Sequence, residues 1–213
     1  MPEIIKVAVY KLDELAERAK ENARAWYRES AFDYDWYDFA FGDFETICEI
    51  LGIDLRANWS SIADQGRRQP QIFFTGFCSQ GDGACFAGAY AYRPGASRDI
   101  RVHAPQDATL HQIADTLRDV QRRHFYQLTA DIRHRGRYCH EYSMEILIER
   151  GDLDVSQAAE ETITEVLRDL ARWLYRQLER EYDHLSSDPA VDEAIAINEY
   201  RFTSDGRRTY PIH

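Results

Sequence analysis

Lysine is scarce in this chain: Lys6, Lys11 and Lys20 are the only ones among 26 basic residues, which leaves 23 arginines. Acidic residues number 37 and the formal net charge is -11. A general DNA-binding role needs a basic face to neutralise phosphates, so this balance argues against one. Cysteine is limited to Cys48, Cys78, Cys85 and Cys139, with no CxxC pair, which is too few for a disulfide framework in a chain of 213 residues. Reduced, mostly buried thiols are the expectation. No apolar run approaches the roughly 18 residues of a membrane span, and Met1-Pro2-Glu3-Ile4-Ile5-Lys6 lacks the basic start and long apolar stretch of a signal peptide. A cytoplasmic protein of a bacterial host cell, with no membrane partner, is expected.

What is present suits a folded core: 44% of residues are hydrophobic and 13% aromatic. Charge is unevenly spread. Residues 1–64 and 151–213 each carry 14 acidic and 7 basic side chains, whereas residues 65–150 carry 9 and 12. Period-2 alternation predicts strands at Ile4–Tyr10, Ile53–Trp59, Gln71–Phe77 and Phe86–Tyr92, and a hairpin of Thr129–His134 and Arg137–Ile148 around Gly136. Helical spacing predicts helices over Leu12–Tyr27, Asp35–Leu51 ending at Gly52, and a segment capped by Thr109 or Asp107 with Leu110, Ile113, Ala114, Leu117, Val120, Phe125 and Leu128 inward. The longest helix spans Ser156–Leu185, followed by a short one from Asp188 to Asn198 and a terminal hairpin around Ser204-Asp205-Gly206. In the strand at residue 86, Phe86, Gly88, Tyr90 and Tyr92 oppose Ala87, Ala89 and Ala91, and a helix is expected across the small alanine face. The reading is a single α+β domain, 1–213, with a mixed, largely antiparallel sheet packed with helices and one long helix near the C-terminus.

The most specific local feature is Ser79-Gln80-Gly81-Asp82-Gly83-Ala84-Cys85-Phe86, where an aromatic strand turns tightly into a second strand. Gly81 and Gly83 can take positive φ on either side of Asp82, which can hydrogen-bond its own turn. A structural turn is expected. This segment, the aromatic and acidic second helix, and the ending Asn198-Glu199-Tyr200-Arg201-Phe202-Thr203-Ser204-Asp205-Gly206-Arg207 resemble a family carried by phages and mobile elements. Some members of that family are labelled antitoxin-like. The resemblance implies a setting of phage and host conflict, in which small acidic proteins act by binding an antagonist.

Each candidate site has a plainer reading beside it. Cys78, Cys85 and Asp82 with a histidine are residue types that bind Zn²⁺, but the six-residue gap between the cysteines is not ligand spacing, so neither metal nor other cofactor is expected. Cys85 as a nucleophile would need His134 or His140 as base and a lowered thiol pKa. The basic and aromatic residues of the 133–142 hairpin, Arg133, His134, Arg135, Arg137, Tyr138, His140 and Tyr142, suggest a nucleic-acid surface, yet such a face more often pairs with acidic helices of its own chain. The expected partner is therefore a protein, an antagonist of host or phage origin that the chain neutralises, rather than nucleic acid. Asp38, Asp43, Glu161 and Glu165 on two helices are the candidate binding carboxylates, and Tyr90, Tyr92 and Tyr138 a candidate aromatic surface. The long helix also offers a face for homo-oligomer formation.

Overall fold

The computed structural model describes residues 8–30, 35–59 and 68–209. It is an α+β protein in which the pairings between the described strands are antiparallel. The chain divides into two compact units, residues 1–38 with 180–213, and residues 39–179. The division falls inside the long helix.

In the smaller unit, helix α1 (Glu17–Ser30) packs with α6 (Asp188–Ile197). Ala19, Ala23 and Tyr27 of α1 meet Val191, Ile195 and the buried ring of Phe202. The strand expected over Ile4–Tyr10 lies mostly outside the described residues. Tyr10 itself forms an antiparallel bridge with Phe202. Phe202 belongs to the terminal hairpin of strands β9 (Arg201–Phe202) and β10 (Arg208–Thr209). Arg24, on the half-turn of α1 facing α6, lies only 9% exposed and grips Asp192 with two bonds of 2.7 Å. A guanidinium matches a carboxylate in this fork geometry, so the buried charge is balanced.

The larger unit begins in α2 (Asp38–Leu51), which stops at Gly52 with φ +85°. Phe44, Ile47, Cys48 and Leu51 are its buried residues, whereas Phe39 is 88% exposed. The strand predicted over Ile53–Trp59 is two short ones, β1 (Ile53–Leu55) and β2 (Ala57–Trp59), because Arg56 redirects its hydrogen bonds to Ala87 and Gln71 between them. β2 pairs with β3 (Arg68–Pro70), and β4 (Ile72–Phe74) pairs with β5 (Ala84–Phe86). β1 joins a four-stranded sheet in the order β1, β6 (Gly88–Ala91), β7 (Thr129–His134), β8 (Met144–Glu149).

One face of this sheet is core and the other is open, and the assignment reverses the expectation for β6. Tyr90 is 1% exposed, and Ala130, Ile132, Met144 and Ile148 are buried beside it, while Ala89 and Ala91 face outward. The physical reason is area: a buried tyrosine removes far more apolar surface from water than an alanine. Among the described residues, no helix covers Ala89 or Ala91, although Ala87 just before β6 is buried. Helix α3 (Ala96–His103), which no periodicity in the sequence predicted, packs with α4 (Ala108–Arg123). Asp107 caps α4 by accepting the Leu110 amide at 2.9 Å, and its second oxygen accepts the Trp173 indole N–H at 2.7 Å from α5 (Gln157–Ser186). α4 ends before Phe125, which is 74% exposed rather than inward. None of the described helices is long and apolar enough to cross a membrane.

Candidate functional site

Three side chains of the larger unit converge where β5, the end of β7 and the β7–β8 connection meet. A sulfur from Cys85, a sulfur from Cys139 and a ring nitrogen of His134 all lie within 4.8 Å of one another. Their placement follows from local structure. Cys85 sits at the centre of β5, opposite Phe73 in the β4 register, and the Phe73 ring lies 4.8 Å from the His134 ring at a tilt of 32°. Nε2 of His134 is 3.0 Å from the Tyr138 carbonyl, which can only accept, so Nε2 carries a proton and donates it there.

Cys139 reaches Cys85 because the connection 135–143 folds back over the glycine turn. The second run of the expected hairpin is shorter than predicted, since β8 starts only at Met144 and residues 141–143 form a 3₁₀ turn. His140 caps that turn by accepting the Tyr142 amide at 3.0 Å, and Ser143 donates to the His140 carbonyl at 2.7 Å. From α5, Arg172 holds Glu141 at 3.0 Å, with Glu165 and Asp169 at 2.8 and 2.7 Å on its other amine. Against the returning loop lies Gly83, where a Cβ would stand 2.6 Å from the His140 Cβ.

The thiols are protonated in this setting. Burial, only partly offset by the Ser143 hydrogen bond, pushes the Cys85 thiol up to about 12, and burial also raises Cys139 while a hydrogen bond from Cys85 opposes it. A thiol at that value is a poor nucleophile at neutral pH, so the pairing of Cys85 with a histidine base lacks the lowered pKa it requires. The cluster also differs from the Cys78, Asp82 and Cys85 set that the sequence argued against as zinc ligands. Asp82 spends its carboxylate on the amides of Cys78 and Ser79, at 3.0 and 2.7 Å, and Cys78 is exposed outside the cluster. Cys139 takes their place. Its distance in sequence from Cys85 hid the pairing, and the one available signal was the histidine-rich run that flanks it.

The other sequence candidates scatter. Tyr90 is core, its hydroxyl accepting a bond from Gln121 at 3.3 Å, so it cannot form part of an aromatic docking face. Tyr92 is half-buried with its ring 4.5 Å from Tyr126, and Tyr138 is 55% exposed with the Arg137 guanidinium 5.0 Å from its ring. Arg133 pairs with Asp131 and Arg135 with Glu145, so those basic hairpin residues are matched by carboxylates on the same sheet. Glu165 is committed to Arg172, Glu161 accepts from the Gln157 amide at 2.8 Å, and Asp43 holds His103 at 2.7 Å. Asp38 is exposed at the start of α2.

A groove runs beside α2 that the sequence reading did not single out as a unit. Glu45 and Glu49 stand one helical turn apart and share it with Asp54 of β1, Gly42, Thr46 and Arg93, around a volume of about 670 Å³. Arg93 donates to the Glu49 carbonyl at 2.5 Å. Among the described side chains the lining thus carries three carboxylates and one cation. Gly42 is open space: a Cβ there would meet nothing within 4 Å. No curated protein and no solved structure matches the chain. The family described as a domain of unknown function, DUF8835, matches residues 36–188, well over half of the sequence, and the chain belongs to that family.

Proposed function

We propose that this chain is an acidic protein-binding module, of the antitoxin-like or anti-defence kind, that neutralises an antagonist by taking a basic segment of it into the groove beside α2. The observation that carries this reading is Gly42. Glycine in an exposed helix interior costs about 1 kcal/mol relative to alanine, and here no neighbouring atom requires it. A bare helix surface between Glu45, Glu49 and Asp54 lets another chain approach closely while the carboxylates select for positive charge.

Affinity capture from host lysate, comparing the parent with Glu45→Lys/Glu49→Lys and with Gly42→Trp, tests the proposal. Both variants should keep the parent's circular dichroism, since exposed helix charges contribute only tenths of a kcal/mol. Specific partners should be lost from both, and raising salt from about 0.05 to 0.5 M should weaken capture by the parent. Capture of the same proteins by all three, regardless of salt, would show that the groove is not the working surface.

A further inference from the structure

We infer that Cys85, Cys139 and His134 form a binding site for one Zn²⁺ ion. Two thiols and an imidazole are the ligand set that a borderline-soft, tetrahedral ion prefers, and hard cations that favour oxygen are excluded by the same chemistry. A tetrahedral zinc bound at about 2.3 Å to each sulfur holds the sulfurs about 3.8 Å apart. The three groups already lie within 4.8 Å, so closing on the ion requires movement of about 1 Å or less. Water completes the tetrahedron from the side where His134 and Cys139 are half-exposed.

Orientation of the ligands is built in around them. The Tyr138 carbonyl accepts Nε2–H of His134 and leaves Nδ1 as the nitrogen that can take the ion, the arrangement in which metal-binding histidines give their other ring proton to an acceptor. Phe73 supports the ring from β4. Each thiol gives up its proton as its Zn–S bond forms, so loading releases two protons to solvent. The ion then clasps the 135–143 connection to β5, where Gly83 alone permits the close approach.

The test is a titration of the fully reduced, metal-free chain under anaerobic conditions, with Zn²⁺ against a chromophoric chelator and with Co²⁺ read by absorption. Free thiols are counted in denaturant beforehand. One ion per chain, a sulfur-to-cobalt charge-transfer band and a rise in melting temperature with zinc are expected. Cys139→Ser and His134→Gln should each weaken binding more than about 100-fold, and Cys78→Ser not at all. Because Cys85 is a core residue and Cys85→Ser can fail through folding alone, half-exposed Cys139 carries the decision. Absence of zinc binding with all four thiols free overturns the assignment. So does equal binding by Cys139→Ser, or spontaneous loss of two thiols to a Cys85–Cys139 disulfide that the reduced chain re-forms in preference to taking up metal.

Discussion

Gly81 and Gly83 share a turn but are glycine for different reasons. Gly81 has φ +137°, a conformation that side chains resist, and nothing lies within 4 Å of where its Cβ would be. Gly83 has no such φ and instead abuts His140, 2.6 Å from its Cβ and 2.8 Å from its Cα. Gly81→Ala should therefore cost about 1–2 kcal/mol through backbone strain alone. Gly83→Val should cost more, about 3 kcal/mol, because it drives the 135–143 connection off β5, and it should also abolish zinc binding. Urea unfolding of both variants separates the two cases. A Gly83→Val protein as stable as the parent would mean that the loop yields freely and that Cys139 is not held against Cys85. Asp82, which caps the turn through two amides, belongs to the same structural device rather than to a catalytic one.

The connection between α4 and β7 turns on a buried amide. Gln121 is fully buried, its side chain donating to the Leu128 carbonyl at 2.6 Å and accepting from the Leu128 amide at 3.1 Å, which fixes where the chain leaves the helix. The residues between pay for that closure with positive φ, +58° at Phe125 and +61° at Tyr126. Left-handed backbone costs a non-glycine residue about 1–2 kcal/mol, and asparagine tolerates it better than phenylalanine. Since the Phe125 ring is mostly exposed, Phe125→Asn should raise the unfolding free energy by about 0.5–1 kcal/mol. Thermal melting reads this as a shift of a few degrees upward. A fall in stability would show that the contact of Phe125 with Arg150, 5.6 Å from its ring, outweighs the backbone term.

Stability of the larger unit should depend on pH at both ends. Burial pushes the Tyr90 phenol up to about 12, against about 10 in an unfolded chain. The folded state holds its proton more tightly, so the contribution is complete below about pH 10 and is lost as pH rises through the folded value. At the acid end, the Arg101 guanidinium holds the Asp115 carboxyl below the usual carboxylate range. That contribution is present above about pH 4 and disappears as pH falls through the lowered value. Urea midpoints measured across pH with a chelator present should be level near neutrality and decline at both ends. Tyr90→Phe should make the alkaline decline shallower, the buried Cys85 thiol sustaining the remainder, and Asp115→Asn should weaken the acid one. An unchanged alkaline limb in Tyr90→Phe would place its cause elsewhere.

Periodicity alone located most of the helices of this protein, because an amphipathic stripe such as Ile163, Val166, Leu167, Leu170, Leu174 and Leu178 is a local property of the chain. The α+β class, the long α5, the Asp107 cap and the Asp82 turn were legible for the same reason. Tertiary packing decided the rest. Which face of β6 is buried depends on which offers more apolar area to the core, so alternation identified the two faces but not their direction. The ends of β8 and α4 depend on partners beyond their own elements, Arg172 for the Glu141 turn and Tyr90 and Leu128 for Gln121. The meeting of Cys85, His134 and Cys139 is non-local in the same sense. No spacing rule joins residues from three different segments, and only the antiparallel pairing of β6 with β7 and the bare Cα of Gly83 bring them within reach of one ion.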